Sequence, residues 1–200
     1  MSEVFVIATN NPKKLREIDA ILRQIGASAV TMREAGISTD PEETGLSFEE
    51  NACIKAHAAC AASNKPAIAD DSGLEVDALN KAPGIYSARY CEGSDSDRVD
   101  FLLKNMQDKK DRTARFVSAV CCTFPSGETI TVRGECEGEI TYAPEGENGF
   151  GYDPVFFVRE HNCTFAQLSP EIKNQISHRA RALDKLACEL KKREMQNADK

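Results

Sequence analysis

The hydrophobic positions change period along the chain. Val4 to Ala8 is a short apolar run that predicts a buried strand. Thr9-Asn10-Asn11-Pro12 breaks it. Leu15, Ile18, Ile21, Leu22 and Ile25 then recur at helical spacing, with Asn11 as N-cap, Pro12 at the first helical position and Gly26 as the stop. Ser28 to Met32 predicts a second strand. Residues 33–46 are acidic and turn-rich. Ser47 and Glu50 form a capping-box pattern that opens an Ala-rich helix to about Ser63. Ala67 to Ala69 predicts a short central strand ending in Asp70-Asp71-Ser72-Gly73, with Leu74 to Val76 as a candidate extension. Pro83-Gly84 marks a turn. Ser94, Asp95 and Asp97 start a helix with the apolar stripe Val99, Leu102, Leu103 and Met106.

The second half alternates differently. Thr113 to Phe124 is rich in β-branched and aromatic residues and predicts the clearest strand. Pro125-Ser126-Gly127 turns it into Thr129 to Val132, a hairpin partner that could run on towards Ile140. Gly146, Gly149 and Gly151 surround Phe150 in a loop. Val155 to Val158 predicts a strand, Ser169-Pro170 a helical turn, and Ser177 the cap of a last helix to about Lys192. A single domain over 1–192 with a polar tail over 193–200 follows. Strands alternating with helices indicate an α/β fold.

Composition narrows the classes. With 200 residues, 41% hydrophobic and 28% charged, the chain is neither disordered nor fibrous. Its apolar runs fall far short of the ~20 residues of a membrane helix, and the start lacks a basic, apolar leader. A net charge of −7 argues against direct nucleic-acid binding. The eight cysteines include no C-x-x-C pair and lie mostly in apolar runs, so they are expected as free thiols of a cytoplasmic protein.

Five constellations carry chemistry. Thr9, Asn10, Asn11, Pro12, Lys13 and Lys14 sit where a strand meets a helix N-terminus, a natural anion site, although the Gly-rich Walker pattern is absent. Asp70, Asp71 and Ser72 follow a strand. Adjacent carboxylates there repel unless a cation compensates, and hard oxygen donors suit Mg²⁺. Glu42 and Glu43 precede a helix that places Asn51 and Lys55 on one face. Phe150, Gly151, Tyr152 and Asp153 form an aromatic loop fit to stack on a flat ring. Lys173 with His178 and Arg179 offers hydrogen-bond donors. Glu135, Glu137 and Glu139 read as a solvated strand face, and His57 and His161 have no partner pattern.

Together these stretches resemble the inosine triphosphate pyrophosphatases, also described as dITP/XTP pyrophosphatases. The matches are T-x-N-x-x-K at 9–14, EETGLSFEENA at 42–52, Lys55, IADDSGLEVD at 68–77, PGIYSARY at 83–90, FGYDP at 150–154 and ISHR at 176–179. They occur in family order across about 4–192. The resemblance implies an elongated mixed sheet flanked by helices, with two lobes around a central nucleotide-binding cleft. It implies a Mg²⁺-dependent homodimer hydrolysing deaminated purine triphosphates to monophosphate and pyrophosphate. Carried over by motif, Glu42 and Asp71 hold the metal and Asp71 accepts a proton, with Asp70 as a candidate helper. Thr9 to Lys14, Lys55 and Ser72 hold the charged tail. Phe150 to Asp153, Lys173, His178 and Arg179 frame the base. The alternative is a non-catalytic nucleotide-binding protein on the same fold, which would be expected to lack Glu42, Asp70 or Asp71.

Overall fold

The computed structural model describes residues 4–24 and 26–198, and for Lys13, Ile21, Gln24, Asn197 and Ala198 the backbone alone. The element order is β1 (Val4–Ile7), α1 (Pro12–Gln24), β2 (Ser28–Thr31), α2 (Phe48–Ser63), β3 (Ala67–Val76), α3 (Asp95–Asn105), β4 (Thr113–Thr123), β5 (Thr129–Ile140), β6 (Phe156–Val158), β7 (Cys163–Thr164), α4 (Pro170–Ile176) and α5 (His178–Ala198). Seven strands form one mixed sheet in the order β2-β1-β3-β4-β5-β6-β7. Strand β1 pairs in parallel with β2, in the register Val4 to Ser28, and with β3, in the register Val6 to Ala67. At the other end β6 runs antiparallel to β5 and to β7. This is the predicted mixed α/β sheet. No helix among the described residues is long and apolar enough to cross a membrane.

The chain forms two compact units. The first comprises residues 1–71, 118–134 and 179–200, and the second 72–117 and 135–178. In the first, Phe5 and Ile7 of β1, Ile18 and Leu22 of α1, Phe124 after β4, and Leu183, Leu186 and Leu190 of α5 build the core. Burial of each such side chain stabilises by about 1.5–3 kcal/mol. The helical spacing read in α1 is what turns Ile18 and Leu22 inward; Ile21 and Ile25 of the same stripe lie outside the described side chains. In the second unit Leu74, Val76, Val99, Leu102, Met106, Ile140, Phe156 and Phe165 pack together, with the rings of Phe116 and Phe156 4.5 Å apart.

The caps follow the sequence closely. The Asn11 Oδ1 accepts from the Lys14 N–H, and Gly26 leaves α1 with φ +75°. Ser94 and Asp97 form a reciprocal capping box on α3. At α2 the box is modified: Ser47 Oγ accepts from the Glu50 N–H, but the Glu50 carboxylate accepts from the Leu46 N–H.

Several boundaries differ from the reading above. Asp70 and Asp71 do not end a strand; β3 runs unbroken through them to Val76, because each carboxylate has a cationic partner and needs no solvent-exposed turn. Strand β5, by contrast, does run on from Val132 to Ile140, as the sequence allowed. Val155 closes a 3₁₀ turn before β6, and the two-residue β7 carries too little pattern to be foreseen. Helix α5 runs to Ala198 rather than stopping near Lys192. Arg193 explains the extension, pairing with Glu128 at 2.8 Å and lying over the Phe124 ring at 3.5 Å. None of the eight cysteines forms a disulfide, and Cys60, Cys121, Cys122 and Cys136 are buried.

Candidate active site

In the first unit, β1 hands the chain to α1 through a turn stitched by its own polar groups. Thr9 Oγ1 accepts from the Asn11 N–H at 3.1 Å. The helix N-terminus therefore opens beside Thr9 to Pro12, where the positive end of the helix dipole favours an anion. Asn10 and Pro12 are exposed there, while Thr9 and Asn11 are partly covered. The Lys13 side chain lies outside the described residues.

Lys14, one turn into α1, points at β3. Its Nζ lies 3.0 Å from Asp70 Oδ1, and the Asp70 side chain is fully buried. Arg179, at the start of α5, reaches the other oxygen of Asp70 through Nε at 3.1 Å and pairs through Nη1 with Glu17 at 2.5 Å. Burial alone would raise the pKa of Asp70. The charges of Lys14, Arg179 and Lys55 outweigh it and hold the group well below the usual carboxylate range. Burial likewise lowers the Lys14 ammonium pKa, with Arg179 and Lys55 adding to the effect. Asp70 is a fixed anion with an ion pair on each oxygen. It is built to hold cations rather than to accept a proton.

Asp71 faces the opposite way, as alternation along a strand requires. It meets α2, accepting from Asn51 Nδ2 at 3.3 Å and lying 3.4 Å from Lys55 Nζ. Lys55 also pairs with Glu43 at 2.8 Å. Burial raises the pKa of Asp71 and the charges of Glu43 and Asp70 add to it, against the pull of Lys55 and Lys14. Burial would depress Lys55, but Asp71, Asp70 and Glu43 overcome it and leave its pKa raised. The pKa values of these two neighbours in sequence are thus displaced in opposite directions, Asp70 downward and Asp71 upward.

Asn51 joins the acidic loop to this carboxylate. Its Oδ1 accepts from the Gly45 N–H at 2.9 Å while its Nδ2 serves Asp71. A Cβ on residue 45 would stand 2.6 Å from that Oδ1, so only glycine permits the approach. Glu42 is exposed nearby in sequence; Glu43 is the member of the pair that touches Lys55. No group of three or more His, Cys, Asp or Glu side chains among the described residues makes a ready metal cage. Mg²⁺ does not require one, since one or two carboxylates, waters and substrate phosphates commonly complete its shell. The Asp71 patch fits that requirement, because its clustered carboxylates would be relieved by a divalent cation.

The second unit presents an aromatic and amide surface. Asp153 organises the glycine loop: Oδ2 accepts from the Phe150 N–H at 2.7 Å and pairs with Lys173 Nζ at 2.5 Å. A side chain at Gly149 would collide with that carboxylate. Lys173 lies 4.8 Å from the Phe150 ring centre, a cation–π contact. Gly151 donates its N–H to Asp95 at 2.9 Å. Tyr152 turns into the core, its hydroxyl donating to the Ser87 carbonyl, and burial pushes its pKa up. It anchors the loop from beneath. His178 stacks on Phe116 at 4.8 Å with 14° between the rings, and Phe116 stacks in turn on Phe165. Ser72 is partly covered at the first position of this unit.

Four participants escaped the sequence reading as site residues. Glu17 lies one turn beyond Lys14, but its partner Arg179 is 162 positions away. Asn51 was visible on the face of Lys55 without a stated task. Glu43 was overshadowed by Glu42. Phe116 is indistinguishable from any core aromatic in a strand.

Comparison with known proteins identifies the family. A family model described as the Ham1 family matches residues 5–189. The dITP/XTP pyrophosphatase of an Exiguobacterium species is 47% identical over 187 residues, covering 92% of this chain and 95% of that relative. The dITP/XTP pyrophosphatase of Bacillus licheniformis is 49% identical over 191 residues, covering 94% and 97%. Among solved structures, the Staphylococcus aureus Ham1 protein matches with a TM-score of 0.89 at 44% identity, over 96% of this chain and 100% of that one.

Proposed function

Since the chain belongs to the Ham1 family, we propose that it hydrolyses deaminated purine nucleoside triphosphates, ITP, dITP and XTP, to the monophosphate and pyrophosphate. The observation that carries this reading is the divided state of the Asp70-Asp71 pair. Asp70 anchors Lys14 and Arg179, and Asp71 stands beside Lys55 with its pKa raised.

The charged tail is bound by Lys14, Lys55 and the N-terminus of α1, with Thr9 and Asn11 shaping the turn. Asp71 orients a water for attack on the α-phosphorus and takes its proton, a role suited to a carboxylate whose pKa is raised. Asp70 holds the cations in place, because positioning and charge neutralisation dominate phosphoryl transfer. Glu42 and Asp71 would hold Mg²⁺, which when bound neutralises charge on the phosphates. Phe150 gives a face for the purine, with Lys173 and Asp153 fixing its loop. His178 is the donor suited to the six-oxygen of hypoxanthine or xanthine. Adenine carries a donor there and meets donor with donor, a mismatch of the kind that discriminates on the order of 10⁴-fold. The enzyme works as a cytoplasmic homodimer that keeps such bases out of the nucleotide pool.

The test is pyrophosphate release from ITP, XTP, dITP, GTP and ATP, with and without Mg²⁺. The expected result is Mg²⁺-dependent release from the first three and weak release from GTP and ATP. Equal hydrolysis of all five overturns the base selection. No release from any overturns the enzyme reading in favour of a nucleotide-binding protein.

A further inference from the structure

Helix α2 carries both Asn51 and Lys55, yet its inward face is unusually smooth. Beyond Phe48, its buried residues are Asn51, Ala52, Ala56, Ala59 and Cys60. Helices resist sliding by seating large ridges in grooves. A face of alanines offers little such relief, so apolar packing alone leaves the axial position of this helix weakly defined.

A different part of α2 supplies the missing constraint. Glu49, Cys53 and His57 are spaced four apart and share one helical face. Arg133, Thr131 and Thr129 are spaced two apart and share one face of β5. The two sets meet in opposite order. Arg133 Nη1 lies 3.1 Å from Glu49 Oε1, Thr131 Oγ1 lies 3.2 Å from Cys53 Sγ, and Thr129 Oγ1 lies 3.1 Å from His57 Nε2. Four residues of helix rise about 6 Å, and two residues of strand about 6.7 Å. The repeats therefore match over three consecutive contacts, and a slide of one helical residue would break all three.

We propose that this triple clasp on β5 sets the axial position of α2, making Thr129, Thr131 and Arg133 positioning residues for Lys55 and Asn51 against Asp71. The proposal rests on the hydrolytic reading for its effect on turnover. Each clasp is individually weak, since exposed polar contacts and ion pairs contribute little to stability. Their value is directional: they leave the fold's stability nearly unchanged while fixing a coordinate the alanine face does not. Misplacement of a binding group by about 1 Å can cost up to about 10²-fold in rate.

The experiment uses the paired variant Thr129→Val and Thr131→Val, which removes two hydroxyls and keeps strand-forming side chains. It is compared with the hydroxyl-keeping pair Thr129→Ser and Thr131→Ser. The readouts are kcat and KM for ITP, the melting temperature, and amide hydrogen exchange along residues 49–60. The valine pair is expected to lower kcat about tenfold with KM changed less than about threefold, to accelerate exchange in α2 alone, and to melt within a few degrees of wild type. The serine pair is expected to restore both kcat and protection. Wild-type exchange and kcat in the valine pair overturn the proposal. So does a fall in kcat without faster exchange in α2, or faster exchange with kcat unchanged. If the wild type itself releases no pyrophosphate, the hydrolytic reading fails, and the exchange comparison alone decides whether the clasp holds the helix.

Discussion

The first unit holds its functional groups mainly by charge, and the second mainly by stacking and buried hydrogen bonds, with the Asp153–Lys173 ion pair at its glycine loop. Around Asp70 and Asp71, Lys14, Lys55, Arg179, Glu17 and Glu43 neutralise one another in pairs, so each side chain's orientation depends on a partner of opposite sign. Around Phe116, the rings of His178 and Phe165 lie nearly parallel, and the glycine loop is fixed by one carboxylate accepting from both an N–H and an ammonium. The difference matches what each region is proposed to meet. Phosphates need cations that are kept from collapsing onto each other. A neutral ring needs flat faces and a few fixed donors. Removing a charge in the first unit should therefore strand its partner, whereas trimming a ring in the second should cost only contact area.

Asp71→Asn is the most severe way to break the contrast. It keeps the size of the side chain and an oxygen for Asn51 Nδ2, but removes the proposed proton acceptor. Loss of a positioned general base costs about 10²–10⁴-fold, so ITP turnover should fall about 10³-fold. Lys55 keeps Glu43 as a partner. The raised pKa of Asp71 means that its ionised form weakens folding at neutral pH. The melting temperature should accordingly stay level or rise slightly. A thermal scan beside a pyrophosphate assay checks both halves, and a variant with full turnover would remove Asp71 from the chemistry.

Asp70→Asn separates charge from chemistry in the other direction. It leaves Lys14 and Arg179 facing a neutral amide in a buried site. Removing one partner of a buried pair typically costs about 3 kcal/mol or more. The acid dependence has a definite sign. The folded pKa of Asp70 lies below its unfolded value, so its stabilisation is fully present above the unfolded carboxylate pKa of about 3.9. It is lost as pH falls through the lower folded value. Urea unfolding of wild type from pH 6 to pH 2.5 should show a slope that the variant lacks in part. Equal slopes would mean that Asp70 is not the anion that Lys14 and Arg179 make it.

The two units were also unequally legible. The capping residues Asn11 and Ser94 predicted helix starts, and the 3.6-residue stripes of α1 and α3 predicted the buried Ile18, Leu22, Val99, Leu102 and Met106. Local pattern suffices where the determinant lies within one or two turns. The opposed faces of Asp70 and Asp71 follow from alternation along β3 once the strand is seen to run through both. What chooses between them is the company each keeps: Arg179 is 109 positions from Asp70, and Lys55 is 16 from Asp71. No spacing rule reaches that far, so which carboxylate has its pKa lowered and which has it raised emerged only from the fold. In the second unit Tyr152 read as part of a ring-binding loop, although its hydroxyl is committed to Ser87. An aromatic facing a ligand and an aromatic facing the core are written with the same letter.

Phe116→Leu gives the smallest effect and the sharpest test of the stacking half. Leucine keeps an apolar side chain in β4 but loses the flat contacts to His178 and Phe165. Aromatic pairs contribute about 0.5–1.5 kcal/mol beyond their buried area, so a destabilisation of about 1–2 kcal/mol is expected. No charge is stranded, and the acid slope of unfolding should match wild type. His178 would lose the surface that holds its ring in one plane. Its proposed hydrogen bond to the base would then form less readily, while the groups proposed to meet the phosphates stay in place. KM for ITP should rise several-fold with kcat nearly unchanged, and preference over ATP should narrow. If kcat fell as far as in Asp71→Asn while KM held, the ring stack would be serving the reaction centre, and the division between a charged unit and a stacked unit would fail.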